Sequence, residues 1–215
     1  YNWRNLDAYD VMSMPDSWEY PWFAAWDLAF HTVVFAHIDA EYSKYQLLLM
    51  LREWYMHPSG ALPAYEWNFD DVNPPVHAWA AIRVFEIDGA TDVDFLARVF
   101  QKLLINFTWW VNKVDKEGNS VFEGGFLGLD NIGPIDRSHL PEGYTIEQAD
   151  GTAWMAFYAL MMLRMSIRLA AHDDAYSPMA LKFLENFATI PDGIASVALF
   201  DAEEGFFYDQ LVRPD

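Results

Sequence analysis

The chain has 215 residues and a formal charge of −19 at neutral pH, from 32 acids against 13 Lys and Arg. That balance argues against partners of the nucleic-acid or acidic-membrane kind, and 53% hydrophobic residues argue against disorder. Zero cysteines exclude a disulfide scaffold, a thiolate metal site and a cysteine nucleophile. Aromatic residues make up 17%, with 10 Trp, 11 Tyr and 16 Phe. Flat rings cover the apolar faces of sugars, but they also pack helical cores, so composition alone leaves both readings open. The opening YNWRNLDAYD has no signal-peptide pattern, which gives the expectation of a cytoplasmic protein. It does not begin with Met, so the chain reads as a piece of a longer one.

Six helices are predicted. The first runs from about Pro21 to His37, with Phe23, Trp26, Phe30 and Val34 recurring every three or four residues. The second runs from about Ala40 to Met56 and is stopped by HPSG. A third starts near Pro74 and reaches Phe85, and a fourth extends from Asp92 to Val114, capped by Thr91 or Asp92 with Asp94 in its first turn. A long connection from Asp115 to Ala149 follows, and at that length a structureless loop implies function. The fifth helix covers about Gly151–His172, capped by Asp150 or Thr152, and the sixth about Tyr176–Thr189. The tail DAEEGFFYDQLV suggests a turn followed by a short strand. Short connections alternate with long ones, so the helices pair as antiparallel hairpins. That is the pattern of an all-α (α/α) toroid whose long loops gather at one rim. A closed toroid commonly needs twelve helices, so this chain supplies about half of one.

Three segments carry polar groups where a core would not want them. In WEYPWFAAWDLAFH, Asp27 sits among Trp22, Phe23, Trp26 and Phe30. Desolvation there raises a carboxylate pKa, as a general acid for glycosidic cleavage requires, although a buried polar anchor fits as well. In PAYEWNFDDVNPPVHAWA, the group Glu66, Asn68, Asp70, Asp71 and Asn73 lies between aromatics. Side chains that donate and accept beside flat rings suit hydroxyl-rich ligands, while a solvated acidic turn or a calcium site remains an alternative. The third segment, FEGGFLGLDNIGPIDRS…EQADGTAWMA, offers Glu123, Asp130, Asn131, Asp136, Arg137, Glu147, Gln148 and Asp150. Its glycines let backbone approach a ligand, but no P-loop lysine follows them. The six histidines are scattered, with no HExxH, and His31 and His77 read as packed or hydrogen-bonding residues. No metal and no cofactor is expected.

Together these three segments resemble the catalytic domain of glycoside hydrolase family 63, in its bacterial and archaeal branch related to mannosyl-oligosaccharide glucosidase. The resemblance covers nearly the whole chain. It implies an (α/α)6 barrel, partial here, that hydrolyses an α-glycosidic (α-glucosidic) bond of an oligosaccharide or small glycoside with inversion. It also implies that Asp27 of the Trp26-Asp27 pair is the general acid. Trp22, Trp26, Glu66, Trp67, Asn73 and Trp79 fall in segments that line or support the sugar site, and Glu123, Gln148 and Asp150 are the further substrate-binding candidates. The family's general base has no counterpart in these residues, so the expected partner is the rest of the catalytic domain. A non-catalytic carbohydrate-binding or scaffold fragment of the same toroid is the alternative.

Overall fold

In a computed structural model, residues 10–16, 18–20, 22–65, 68–69, 72–113, 115, 117–123, 135–137 and 139–214 are described. Six α-helices dominate: α1 (Ala25–Phe35), α2 (Ala40–Met50), α3 (His77–Ile87), α4 (Val93–Lys113), α5 (Ala149–Ala170) and α6 (Ser177–Ser196). Consecutive helices pair as hairpins: α1 with α2, α3 with α4, α5 with α6. The odd-numbered helices also pack side by side, α1 on α3 and α3 on α5, while α2 touches α3 and α4 touches α5. This is two concentric layers, with α1, α3 and α5 inside, and it is the arrangement of an (α/α) toroid. No described helix is long and apolar enough to cross a membrane.

The inner position of α3 follows from its composition. Ala78, Ala80 and Ala81 are fully buried, and their small side chains let helices close in on several sides. The outer layer is fastened by rings: Phe107 of α4 meets Tyr158 of α5 at 5.1 Å and Phe183 of α6 at 5.0 Å, both edge-on. Each such fully buried large side chain contributes about 1.5–3 kcal/mol of transfer free energy. Lys44 of α2, nearly buried, bonds to Asp92 at 2.7 Å, to Asp88 at 2.9 Å and to Glu41, tying α2 to the turn between α3 and α4. Burial pulls the Lys44 pKa down, but the three carboxylates outweigh it and hold the ammonium charged well above its ordinary range.

Helix bounds differ from expectation where local chemistry intervenes. Pro21 lies outside the described residues, and α1 begins only at Ala25, because Ala24 is extended and Phe23 turns fully inward against Tyr55 at 5.3 Å. The second helix ends at Met50 rather than Met56. Beyond it, separate turns carry Tyr55 into the core, where its hydroxyl reaches Asp10. The third starts at His77, not Pro74, since Pro75 bars the residue before it from helical geometry. Asp92 does cap α4, accepting from the Phe95 amide at 3.0 Å. Asp150 and Thr152 do not cap α5: both lie inside its first turn, and Gln148 occupies the cap position without a capping bond from its side chain to the helix. The sixth helix continues through Pro191 to Ser196, past the expected end at Thr189.

The long connection is not structureless. It contains strand β1 (Thr145–Glu147), which pairs antiparallel with β4 (Gln210–Val212) in the tail, while β2 (Phe200–Asp201) and β3 (Phe206–Phe207) form a hairpin before β4. The tail therefore folds back onto the entrance to α5.

Candidate active site

An open pocket of about 520 Å³ lies against the inner helix layer. Its wall is Phe30 from α1, Val76 and Trp79 at the start of α3, and Asp150, Ala153, Trp154 and Phe157 from α5. Helical spacing explains the alignment: Asp150, Ala153, Trp154 and Phe157 recur every three or four residues along one face of α5. The rings touch one another, Phe30 with Trp79 at 5.5 Å, Phe30 with Trp26 at 5.8 Å and Trp154 with Phe157 at 5.9 Å. The result is an aromatic wall with a carboxylate at one end, in the size range of small-molecule sites.

Asp150 does not face the pocket as a free acid. Its two oxygens accept from two nitrogens of Arg137, each at 2.9 Å, and one also accepts from the Gly151 amide at 2.8 Å. Arg137 also reaches Asp209 at 3.3 Å, and Asp209 accepts from the Ala149 amide at 2.8 Å. A side chain from the tail thus closes the N-terminus of α5, the role expected of Asp150 or Thr152. Thr152 instead donates to the Gln148 carbonyl at 2.7 Å and accepts from the Phe122 amide at 3.0 Å.

Asp27 is half-buried on α1, one turn before Phe30 and outside the pocket lining proper. Desolvation raises its pKa, opposed by a backbone hydrogen bond and by the neighbouring His31. His31, four residues on, is itself pushed down by desolvation, and its Nδ1 lies 2.7 Å from the Ser13 hydroxyl. Ser13 is in turn strapped to α2 by its amide, which donates to Gln46 at 3.0 Å. Asp27 and His31 thus lie one turn apart on the inner helix, and desolvation raises the pKa of the first and lowers that of the second.

A second, partly open pocket has a volume of about 30 Å³. Trp26, Asn73, Val76, His77, Asn106 and Tyr158 are among its lining residues, and Val76 lines both pockets. Of the expected site residues, Trp79 and Asp150 thus meet at the larger of these two pockets, and Trp26 and Asn73 at the smaller one. Trp22 packs against Tyr20 at 5.5 Å and Tyr65 at 6.4 Å. Gln148 is fully buried at the α5 cap, and Glu123 is half-buried and engaged. Neither lines either space. Glu66 and Trp67 lie outside the described residues, as do Asp70 and Asp71 of the possible calcium loop and Asp130 and Asn131. Sequence reasoning did not single out Trp154 and Phe157 as pocket residues, although the aromatic spacing of AWMAFY was visible. Among the described residues Glu41, Asp88 and Asp92 bring carboxylate oxygens within 4.8 Å, and the Lys44 ammonium already bonds to all three.

An inner ring of helices presenting two tryptophans and one carboxylate to an open pocket points to the class: a glycoside-hydrolase type of (α/α) toroid. The family model described as "Mannosylglycerate hydrolase MGH1-like glycoside hydrolase domain" matches residues 20–128, and the chain belongs to that family, within glycoside hydrolase family 63. Three solved structures share the fold. An uncharacterized conserved protein from Thermus thermophilus superposes with a TM-score of 0.66 at 18% identity, covering 93% of this chain and 62% of its own. The GH63 mannosylglycerate hydrolase of the same organism superposes at 0.63 and 18% identity in its complex with Tris and D-glycerate, covering 94% of this chain and 64% of its own. Its complex with glucose gives 0.65 at 17% identity, covering 93% and 62%. A yeast relative from Saccharomyces cerevisiae, the uncharacterized protein YMR196W, is 59% identical over 199 residues, 90% of this chain. The chain spans 18% of that relative's length.

Proposed function

We propose that this chain supplies the inner aromatic wall of a glycoside hydrolase site that cleaves an α-glycosidic bond with inversion. The substrate class is an oligosaccharide or a small glycoside, α-glucosides and mannosylglycerate-like compounds first among them. The observation that carries this reading is the pocket of about 520 Å³ walled by Phe30, Trp79, Trp154 and Phe157 on the three inner helices. Rings of that kind cover the apolar face of a pyranose, while Asp150, held by Arg137, accepts from its hydroxyls.

In this proposal Asp27 is the proton donor. Desolvation raises its pKa, the direction a proton donor needs, and its proton passes to the glycosidic oxygen as the bond from the anomeric carbon breaks. Water attacks the opposite face and gives its proton to a second carboxylate, which the remaining helices of the barrel contribute in a longer polypeptide. The second reading, binding without turnover, draws on the fact that the acid lining the pocket is already paired with Arg137.

The test is Asp27→Asn in the full-length protein, assayed on two glycosides of one sugar. One carries a poor alkyl leaving group and the other an activated nitrophenyl group that leaves without protonation. Loss on the first with retention on the second supports Asp27 as the acid. Equal loss on both moves Asp27 to sugar binding and makes Asp130 the next carboxylate to replace. Sugar binding with no turnover in the wild type supports the binding-only reading.

A further inference from the structure

The tail of the chain reaches the open pocket through one carboxylate. Asp209 lies between β3 and β4, and both of its neighbours are braced. The Tyr208 amide donates to the Leu199 carbonyl at 2.8 Å, and the Gln210 side-chain amide donates to the Ala198 carbonyl at 3.0 Å. The β1–β4 register sets Gln210 against Glu147, just before α5 begins. Asp209 is thereby held at the entrance to that helix, where its Oδ1 accepts from the Ala149 amide at 2.8 Å. Its Oδ2 accepts from Arg137 Nη1 at 3.3 Å.

Arg137 Nη1 is shared between two acids. It also donates to Asp150 Oδ1 at 2.9 Å, while Nη2 donates to Asp150 Oδ2 at 2.9 Å. Asp150 Oδ1 accepts from the Gly151 amide as well, so both acceptor positions of that oxygen are filled. Oδ2 keeps one acceptor position beside its bond to Arg137. Asp150 lines the pocket, so a sugar hydroxyl donating to it uses that position. A planar fork fixes the direction of the carboxylate it grips. The contact with Asp209 ties the fork to a point held by the β1–β4 pairing.

We propose that Asp209 is a positioning residue for the pocket: acting through Arg137, it sets the direction in which Asp150 presents its remaining acceptor to a sugar hydroxyl. The short strands of the tail are then part of the sugar site. The inference rests on the proposed role of Asp150 in binding sugar. Asp209 also caps α5, and Asp209→Asn separates the two roles. An asparagine carbonyl still accepts from the Ala149 amide, while its NH2 group cannot accept from Arg137.

The test is a double-mutant cycle of Asp209→Asn and Asp150→Asn in the full-length protein. Equilibrium dialysis with labelled methyl α-glucoside and methyl α-mannoside gives the Kd of each variant. Asp150→Asn should weaken binding by about 10–100-fold, the loss of a hydrogen bond to a charged group. Asp209→Asn should weaken it by about two- to fivefold, and should add nothing once Asp150 is already Asn. An equal loss in both backgrounds, or no loss in the wild-type background, overturns the positioning role and leaves the sugar site standing. Asp150→Asn binding as tightly as wild type, or a wild type that binds neither glycoside, removes the sugar role of Asp150 and this inference with it.

Discussion

Arg137 grips Asp150 with two parallel hydrogen bonds of 2.9 Å, and it does so at the point where α5 enters the inner ring. Its side chain is largely buried, and a further bond reaches Asp209 in the tail. One guanidinium thus joins the segment before β1, the first turn of α5 and the strand region at the end of the chain. Arg137→Ala should destabilise by about 1–3 kcal/mol, the range for a charged hydrogen bond lost at a partly buried site. Arg137→Lys should recover only part of this, because an ammonium cannot form the planar fork. Urea unfolding midpoints check it, with Arg83→Ala as the comparison. Arg83 is nearly half exposed and pairs with Glu86, so its removal should shift stability by no more than about 0.5–1 kcal/mol.

His77 gives stability a pH dependence of known sign. Its pKa falls from 6.5 to about 4 on burial, so the unfolded chain binds a proton at pH values where the folded one does not. Stability from this residue is complete above pH 6.5, declines as pH falls from there, and is gone below about 4. The full span corresponds to about 3 kcal/mol. Chemical denaturation at pH 7, 6, 5 and 4.5 should show the decline, and His77→Gln should flatten it. An unchanged slope in His77→Gln would assign the decline to other groups.

The helices were legible because their signals are local. In α4, apolar residues at three- and four-residue spacing and the Asp92 cap sit within one continuous stretch, and the helix appears with almost the expected bounds. The end of α2 was not legible. Tyr55 continues the aromatic and aliphatic pattern on paper, yet its ring is drawn inward by Phe23, more than thirty positions away in the chain. Trp154 and Phe157 show the same limit at the site: an aromatic face at helical spacing looks identical whether it meets a core or a pocket. The β1–β4 pairing joins three-residue strands from distant segments, too short for any period to show. The capping of α5 by Asp209 depends on that pairing, so a nearer residue was expected in its place.

Gly193 lies inside α6, where alanine would ordinarily stabilise a helix by about 1 kcal/mol. Here the added Cβ would stand 2.4 Å from the Asn119 carbonyl oxygen and 3.2 Å from Ser120 backbone atoms. That loop cannot retreat easily. The Asn119 and Ser120 amides both donate to Asp115 at 3.0 Å, and the Ser120 hydroxyl reaches Thr189 at 3.1 Å. Steric cost exceeds the propensity gain, so Gly193→Ala should lower stability by about 1–3 kcal/mol. A thermal unfolding scan decides it, since a raised Tm would mean that the loop yields.

Asp27 and His31 share a face of α1, and each acts on the other's charge. Desolvation raises the Asp27 pKa, and an imidazolium at His31 works against that rise. If Asp27 is the proton donor, activity falls on the alkaline side as it ionises. Replacing His31 by Gln removes the opposing charge, so the Asp27 pKa climbs and the alkaline limb of kcat/KM should move to higher pH. The displacement should stay below about one unit, because water screens a half-exposed pair. The lowered His31 pKa keeps it small as well, since the ring carries its charge only at lower pH. Profiles of wild type and His31→Gln from pH 4 to 9 on a poor-leaving-group glycoside measure the displacement. A limb that moves to lower pH contradicts the coupling.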